Sequence, residues 1–146
     1  AAQERLDGYA AALRAHGLAY DPALVVGGDF LEASGHAALR QLLALDQPPT
    51  AIFASSDSMA IGAMRAAAEA GLRLPEDLSI IGFDDIPEAA AHAPALTTIR
   101  QPLQEMGRIA VRQLIEQIED PERPAAHIEL PTRLIERDSC APYRQR

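Results

Sequence analysis

The chain has 146 residues, 48% hydrophobic and 23% charged, which suits one globular domain or two small lobes and excludes a disordered tail. Thirteen basic residues against twenty-one acidic leave a formal charge of −8, so the chain as a whole repels a polyanion and is a poor direct ligand for nucleic acid. All thirteen basic residues are arginine, which removes every chemistry that needs a lysine, from Schiff-base catalysis to a phosphate loop.

Residues 3–16 place Leu6, Tyr9, Ala10 and Leu13 at helical spacing, with Gly17 positioned to end the helix. Asp21-Pro22 makes a turn before the apolar run Leu24-Val25-Val26, read as a buried strand that ends in Gly27-Gly28-Asp29-Phe30. Ser34 is placed to cap a second helix carrying Leu39, Leu42 and Leu43, closed by Pro48-Pro49. Residues 51–54 predict the next strand, and Ser55-Ser56-Asp57 leads into a third helix ending before Gly71, with Asp57 as its natural cap. Leu78 to Phe83 is a continuous apolar strand ending at Asp84-Asp85. Strands this uniformly apolar are covered on both faces, and short strand-helix units of this kind imply an α/β fold with a parallel, doubly wound sheet.

After Asp85 the pattern changes. Residues 89–92 suit one helical turn, Pro94 to Ile99 is extended, and Pro102 opens a helix with Leu103, Met106, Ile109, Leu114 and Ile118 on one broad face. That face needs a partner surface. The linker Pro121 to Pro124 leads to a last strand over 127–135, interrupted by Pro131, and then to a polar tail. A doubly wound unit normally opens on a strand, whereas this chain opens directly on a helix and reads as a truncated piece.

Loops in such a sheet gather at the carboxyl edge of the strands, where a ligand sits. Converging there are Phe30, Ser56 with Asp57, Asp84 with Asp85, and Arg100 with Gln101, while Arg5 lies in the first helical turn near the same edge. An aromatic face, a guanidinium fork, a hydroxyl and a carboxylate suit a small polyhydroxylated or heterocyclic ligand. Each residue also has a duller role: Phe30 as core, Arg5 as a solvated helix residue, Ser56 as a turn hydroxyl, Asp57 as a cap, and Asp84 and Asp85 as turn residues or a magnesium pair. The sequence holds no G-x-S-x-G elbow or H-E-x-x-H, and His16, His36, His92 and His127 lack metal-ligand spacing. The expectation is therefore a binding protein and not an enzyme, with neither cofactor nor metal. Cys140 is the single cysteine, so no internal disulfide is possible and a reducing, cytoplasmic setting is expected. No apolar run approaches the roughly 20 residues of a membrane span, and the first ten residues lack the pattern of a secretory signal.

Arg5-Leu6-Asp7-Gly8-Tyr9, Gly28-Asp29-Phe30 with Ser34-Gly35, and the run Ala51 to Ala63 together resemble the effector-binding domain of lactose-repressor-type (LacI/GalR) transcription regulators. The same order continues through Pro75 to Asp85, Pro94 to Pro102, and Met106-Gly107. The resemblance implies a periplasmic-binding-protein-like fold, of which this chain is mostly the C-terminal lobe: residues 1–86 the lobe, 87–119 a crossing segment and helix belonging to the other lobe, and 120–146 a return strand and tail. It implies Arg5 as the effector-clamping arginine, Phe30 as the stacking aromatic, Ser56 where relatives often carry asparagine, Asp84 as the carboxylate taking ligand hydrogens, and Gln101 as a hinge-side polar contact, with Asp57 and Asp85 supporting. The partners it implies are a sugar or nucleoside-like effector, a second copy in a homodimer, and DNA only through a helix-turn-helix outside this chain. An exported sugar-binding protein is the alternative.

Overall fold

A computed structural model describes residues 2–124 and 126–143. In chain order the elements are α1 (Ala2–Ala15), a 3-10 turn (Pro22–Leu24), α2 (Glu32–Leu43), β1 (Ala51–Phe53), α3 (Asp57–Glu69), β2 (Ser79–Ile81), α4 (Pro87–Ala91), β3 (Thr98–Arg100), α5 (Leu103–Glu119) and β4 (Arg133–Ile135). Gly17 ends α1 as the sequence requires: it adopts φ 69°, and the Leu18 N–H turns back to the Leu13 carbonyl at 2.9 Å.

β1 and β2 pair in parallel, with Ala51 opposite Ser79 and Phe53 opposite Ile81. β3 pairs antiparallel with β4. Isolated parallel bridges, Ile81 to Thr97 and Asp84 to Arg100, lay the chain before and through β3 along the far edge of β2. The Gly82 and Asp84 N–H groups donate to the Thr97 and Ile99 carbonyls, both at 2.9 Å. The strands therefore lie in the order β1, β2, β3, β4.

The core sits between this sheet and the α2–α3 pair. Leu39, Met64, Leu78, Ile80 and Leu96 are its largest buried side chains, and alanines 60, 63, 66 and 67 of α3 fill the rest. Small residues let the two helices approach until backbone meets backbone. A Cβ on Gly62 would lie 1.9 Å from the Glu32 carbonyl oxygen, and one on Gly35 would lie 2.0 Å from that of Met59.

Several local expectations are corrected. Leu24-Val25-Val26 is not a paired strand: Leu24 closes the 3-10 turn, capped by Asp21, Val25 is extended, and no strand among the described residues pairs with this run. α2 starts at Glu32, a turn before the expected cap. Ser34 lies inside its first turn, where its hydroxyl donates to the Leu31 carbonyl at 2.9 Å and accepts from the Asp29 N–H at 3.2 Å. The last strand shrinks to Arg133–Ile135, the residues that pair with β3 among the described residues. Residues 137–141, expected as tail, are stitched into the lobe. Ser139 is fully buried, its hydroxyl donating to the Ile80 carbonyl at 2.6 Å and accepting from the Thr97 N–H at 2.8 Å. These bonds satisfy backbone groups that the far edge of β2 leaves open.

Residues 87–100, assigned by sequence to the crossing segment, carry Ala89 and Leu96 into the same buried cluster as Leu78 and Ile80. α5, by contrast, has no buried residue.

Candidate functional site

The strand ends and α1 meet at one rim. Arg5 reaches down from α1 so that its guanidinium carbon lies 3.9 Å from the centroid of the Phe83 ring and 5.8 Å from that of Phe30, while Nη1 donates to the Ser55 carbonyl. A guanidinium between two aromatic faces is held by the ring quadrupoles as well as by that hydrogen bond, so its position is set before any ligand arrives. Phe83, the residue just before the paired aspartates, is a contact that the sequence reading missed. Its signal was only its place at the end of an apolar strand.

Phe30 is 42% exposed and holds φ 66°. Left-handed backbone costs a non-glycine residue about 1–2 kcal/mol. The surrounding bonds sustain it: the Asp29 carboxylate accepts the Leu31 N–H at 3.0 Å, and the Ser56 hydroxyl donates to the Phe30 carbonyl at 3.3 Å. The ring is thereby presented at the rim and not folded into the core.

Asp84 and Asp85 are the other two non-glycine residues with positive φ, at 124° and 62°. Such strain clusters where surrounding structure over-determines the backbone, commonly at ligand sites. The turn splits the two carboxylates. Asp84 faces the rim and accepts from the Gln101 amide at 2.7 Å; burial raises its pKa, against the opposing pull of that hydrogen bond and of the Arg5 charge. Asp85 turns the other way and accepts from Arg100 and, at 2.5 Å, from Arg137. Burial pushes its carboxyl up as well, but the hydrogen bonds from Arg137 and Arg100 and their charges outweigh this and hold it below the ordinary range. Arg100, expected at the rim, is thus engaged with Asp85.

Ser56 and Asp57 exchange the local parts assigned from sequence. Ser56 is the N-cap of α3, its hydroxyl accepting the Met59 N–H at 3.2 Å, and only 4% of its surface is exposed. Asp57 is the first helical residue and wholly buried, accepting from the Thr98 hydroxyl at 2.5 Å and the Ile86 N–H at 2.9 Å. Its carboxylate ties α3 to β3 and to the residue that follows the Asp84-Asp85 turn, and its N–H donates to the Phe83 carbonyl before the turn at 2.8 Å. Gly82 makes room for it, since a Cβ there would fall 2.2 Å from Asp57 Oδ1.

Arg5 lies over the Phe30 and Phe83 rings and Ser56 bonds the Phe30 carbonyl, while Asp84, next in sequence to Phe83, pairs with Gln101; Asp57 and Asp85 hold the turn from behind. The rim offers a stacking face, a guanidinium with five N–H donors of which the Ser55 carbonyl engages one, and a carboxylate paired to an amide. This can grip a small flat or ring-shaped ligand by area and by charge-assisted hydrogen bonds. Among the described residues no three His, Cys, Asp or Glu side chains gather to hold a metal ion. No helix among them is long and apolar enough to cross a membrane.

Residues 1–140 match the periplasmic binding protein-like domain. The chain belongs to this family. Its relatives are regulators of lactose-repressor type, as the motif series implied. It is 50% identical over 115 residues to the HTH-type transcriptional repressor CytR of Escherichia coli strain K12, covering 79% of this chain and 34% of that one. Among solved structures it is 40% identical to the transcriptional regulator CelR in complex with cellobiose, at a TM-score of 0.90 over 93% of this chain and 42% of that one. It is 35% identical to a LacI family transcriptional regulator from Enterococcus faecium with bound ribose, at a TM-score of 0.87 over 96% and 52%. The chain thus spans between about a third and a half of the proteins it matches.

Proposed function

We propose that the chain is the C-terminal lobe of an effector-sensing domain in a DNA-binding repressor, and that Arg5, Phe30, Ser56, Asp84 and Gln101 form its half of the effector cleft. One observation carries this reading: three non-glycine residues in left-handed backbone, Phe30, Asp84 and Asp85, lie at the rim that Arg5 spans. Strain of this kind at the tips of two separate strand-helix units is hard to explain by folding alone. The sugars bound by the CelR and Enterococcus faecium structures support a polyhydroxylated effector. Phe30 stacks on it, Arg5 and Asp84 fix its hydroxyls, and Gln101 reads it from the hinge side. Ser56 acts mainly through the Phe30 carbonyl.

The crossing to the second lobe begins at Gln101, after β3, and not at Pro87. An effector held by both lobes favours their closed arrangement. In a homodimer that arrangement sets the spacing of paired DNA-binding heads supplied elsewhere in the longer protein. The protein carries out no catalysis and works in the cytoplasm.

Calorimetric titration of the full-length protein with ribose and cellobiose tests the site. Saturable binding that falls at least about tenfold in Arg5→Ala and in Asp84→Ala is expected, as loss of a charge-assisted hydrogen bond costs about 1.5–3 kcal/mol. Full affinity in both variants removes the assignment.

A further inference from the structure

We infer that Phe83 is a positioning residue for the effector site: its ring is the fixed seat of the Arg5 guanidinium, which leaves the Phe30 ring free to take the ligand. This rests on the functional reading above and gives the two aromatic residues at the rim different parts.

Phe83 is not spent on the core. It is half-buried, yet among the described residues it belongs neither to the buried cluster around Leu78 and Ile80 nor to the partly buried side chains packed against that cluster. A phenyl ring normally serves apolar burial; here a cation lies over its face. The Arg5 guanidinium carbon stands 3.9 Å from the Phe83 centroid and 5.8 Å from that of Phe30. The first distance is van der Waals contact, whereas the second lies near the outer reach, about 6 Å, of a cation–π attraction. Desolvation strengthens that attraction, and of the two rings Phe83 is the less exposed. Phe83 therefore holds Arg5 and Phe30 adds little.

The backbone agrees. The Gly82 and Asp84 N–H groups donate to the Thr97 and Ile99 carbonyls, both at 2.9 Å, and between them the Phe83 carbonyl accepts the Asp57 N–H at 2.8 Å. Three consecutive residues are thus tied down, so the Phe83 ring is mounted on fixed main chain. Phe30 instead stands in the loop before α2, its carbonyl held by the Ser56 hydroxyl at 3.3 Å. The Ser55 carbonyl completes the seat by accepting from Arg5 Nη1. Ser55 follows β1 and Phe83 follows β2, so one guanidinium spans the ends of both strands. An arginine fixed in this way gives up little rotamer freedom when a ligand arrives, and the affinity it confers is not spent on ordering a long side chain.

Asp84, the residue after Phe83, reports which part Phe83 plays. Burial raises its pKa, while the Gln101 hydrogen bond and the Arg5 charge oppose that rise. If Phe83 seats Arg5, its removal takes the positive charge away and the Asp84 pKa climbs further. If Phe83 only fills space, its removal admits water, relieves the desolvation and brings the pKa down. The two roles move one observable in opposite directions.

NMR on the chain itself, with Phe83→Leu, Phe83→Tyr and Phe30→Leu, makes the test. The Arg5 Nε–H signal, identified by its loss in Arg5→Lys, is expected upfield of the other arginine signals through the Phe83 ring current. It is expected to exchange with water at least about tenfold more slowly than in Phe83→Leu. Phe83→Leu returns the signal to the position of the other arginines and raises the Asp84 pKa; Phe83→Tyr preserves both, and Phe30→Leu leaves the signal upfield. An Arg5 signal with no upfield shift in the unsubstituted chain overturns the proposal, and that readout needs no variant to fold. So does equal loss of the shift in Phe30→Leu and Phe83→Leu, or an Asp84 pKa that stays or falls in Phe83→Leu. No effector enters the measurement, so a failed seat leaves the effector reading standing, and failure of effector binding leaves the seat standing.

Discussion

α3 and α5 look alike in sequence and are opposite in structure. Both carry apolar residues at helical spacing, and α5 has the broader stripe. Yet α3 buries Met59, Ala60, Met64 and Ala67 against the sheet and α2, whereas α5 has no buried residue and leaves Leu114 and Ile118 60% and 71% exposed. Periodicity states that a helix wants a partner; it does not state that one is present. What distinguishes α3 is its small residues. Gly62 and the alanines let α2 close to backbone contact, so a side chain at Gly62 must part the two helices. Gly62→Val is expected to cost about 3 kcal/mol or more, the upper range for overpacking, and chemical denaturation measures it. A loss under about 1 kcal/mol would mean that the pair slides apart freely and that the core is not organised around this crossing.

Much of this organisation was legible beforehand. The helices, the β1 and β2 strands and the carboxyl-edge rim follow from local periodicity and turn chemistry, which depend on neighbours in sequence. Most of the misreadings involve a partner distant in sequence; the early start of α2 does not, since Ser34 bonds Leu31 and Asp29 close by. Leu24 to Val26 has strand composition but no paired strand among the described residues, and composition cannot report that. Ser56 and Asp57 are both good N-cap residues; only the arrival of the Thr98 hydroxyl and the Ile86 N–H selects Asp57 for burial and leaves the cap to Ser56. The tail residues Arg137 and Ser139 looked solvated because their acceptors, Asp85 and the Ile80 carbonyl, lie more than fifty residues earlier. Positive φ at Phe30 carries no sequence signature, whereas Asp84 and Asp85 are of a type enriched there without being marked by it.

Asp85 joins the two regions under comparison. Arg100 lies on the strand leading out to α5 and Arg137 just beyond the strand leading back, and the one carboxylate holds both. Its folded pKa is lowered below the ordinary 3.8, so the stability it contributes is fully present above that value and is lost as pH falls through the folded value. Asp84 has the opposite sign: its pKa is raised, so its contribution is present below 3.8 and is lost as pH rises through the folded value. Asp85→Asn is expected to lower stability at neutral pH by about 1–2 kcal/mol and to flatten the acid limb of the stability profile, with exchange rising in β3 and β4 before it rises in α3. Asp84→Asn should instead leave that acid limb intact and relieve the loss above it. Urea titrations across pH compare the two, and an unchanged acid limb in Asp85→Asn would show that the two arginines are held by other groups.

The smallest effect is expected where the stripe is widest. Leu114→Ala in this chain removes a side chain that is already in water, and surface substitutions of this kind stay within about 0.5 kcal/mol. Helix propensity changes little, because alanine and leucine are both good formers. The same substitution in the longer protein, where the proposed second lobe covers α5, should cost about 2–5 kcal/mol, as truncation of a buried leucine does. The difference between the two measurements reads out whether α5 is a partner surface, independently of any effector. Equal small costs in both chains would leave α5 uncovered in the longer protein as well, and the crossing proposed to begin at Gln101 would then lead to no packed second lobe.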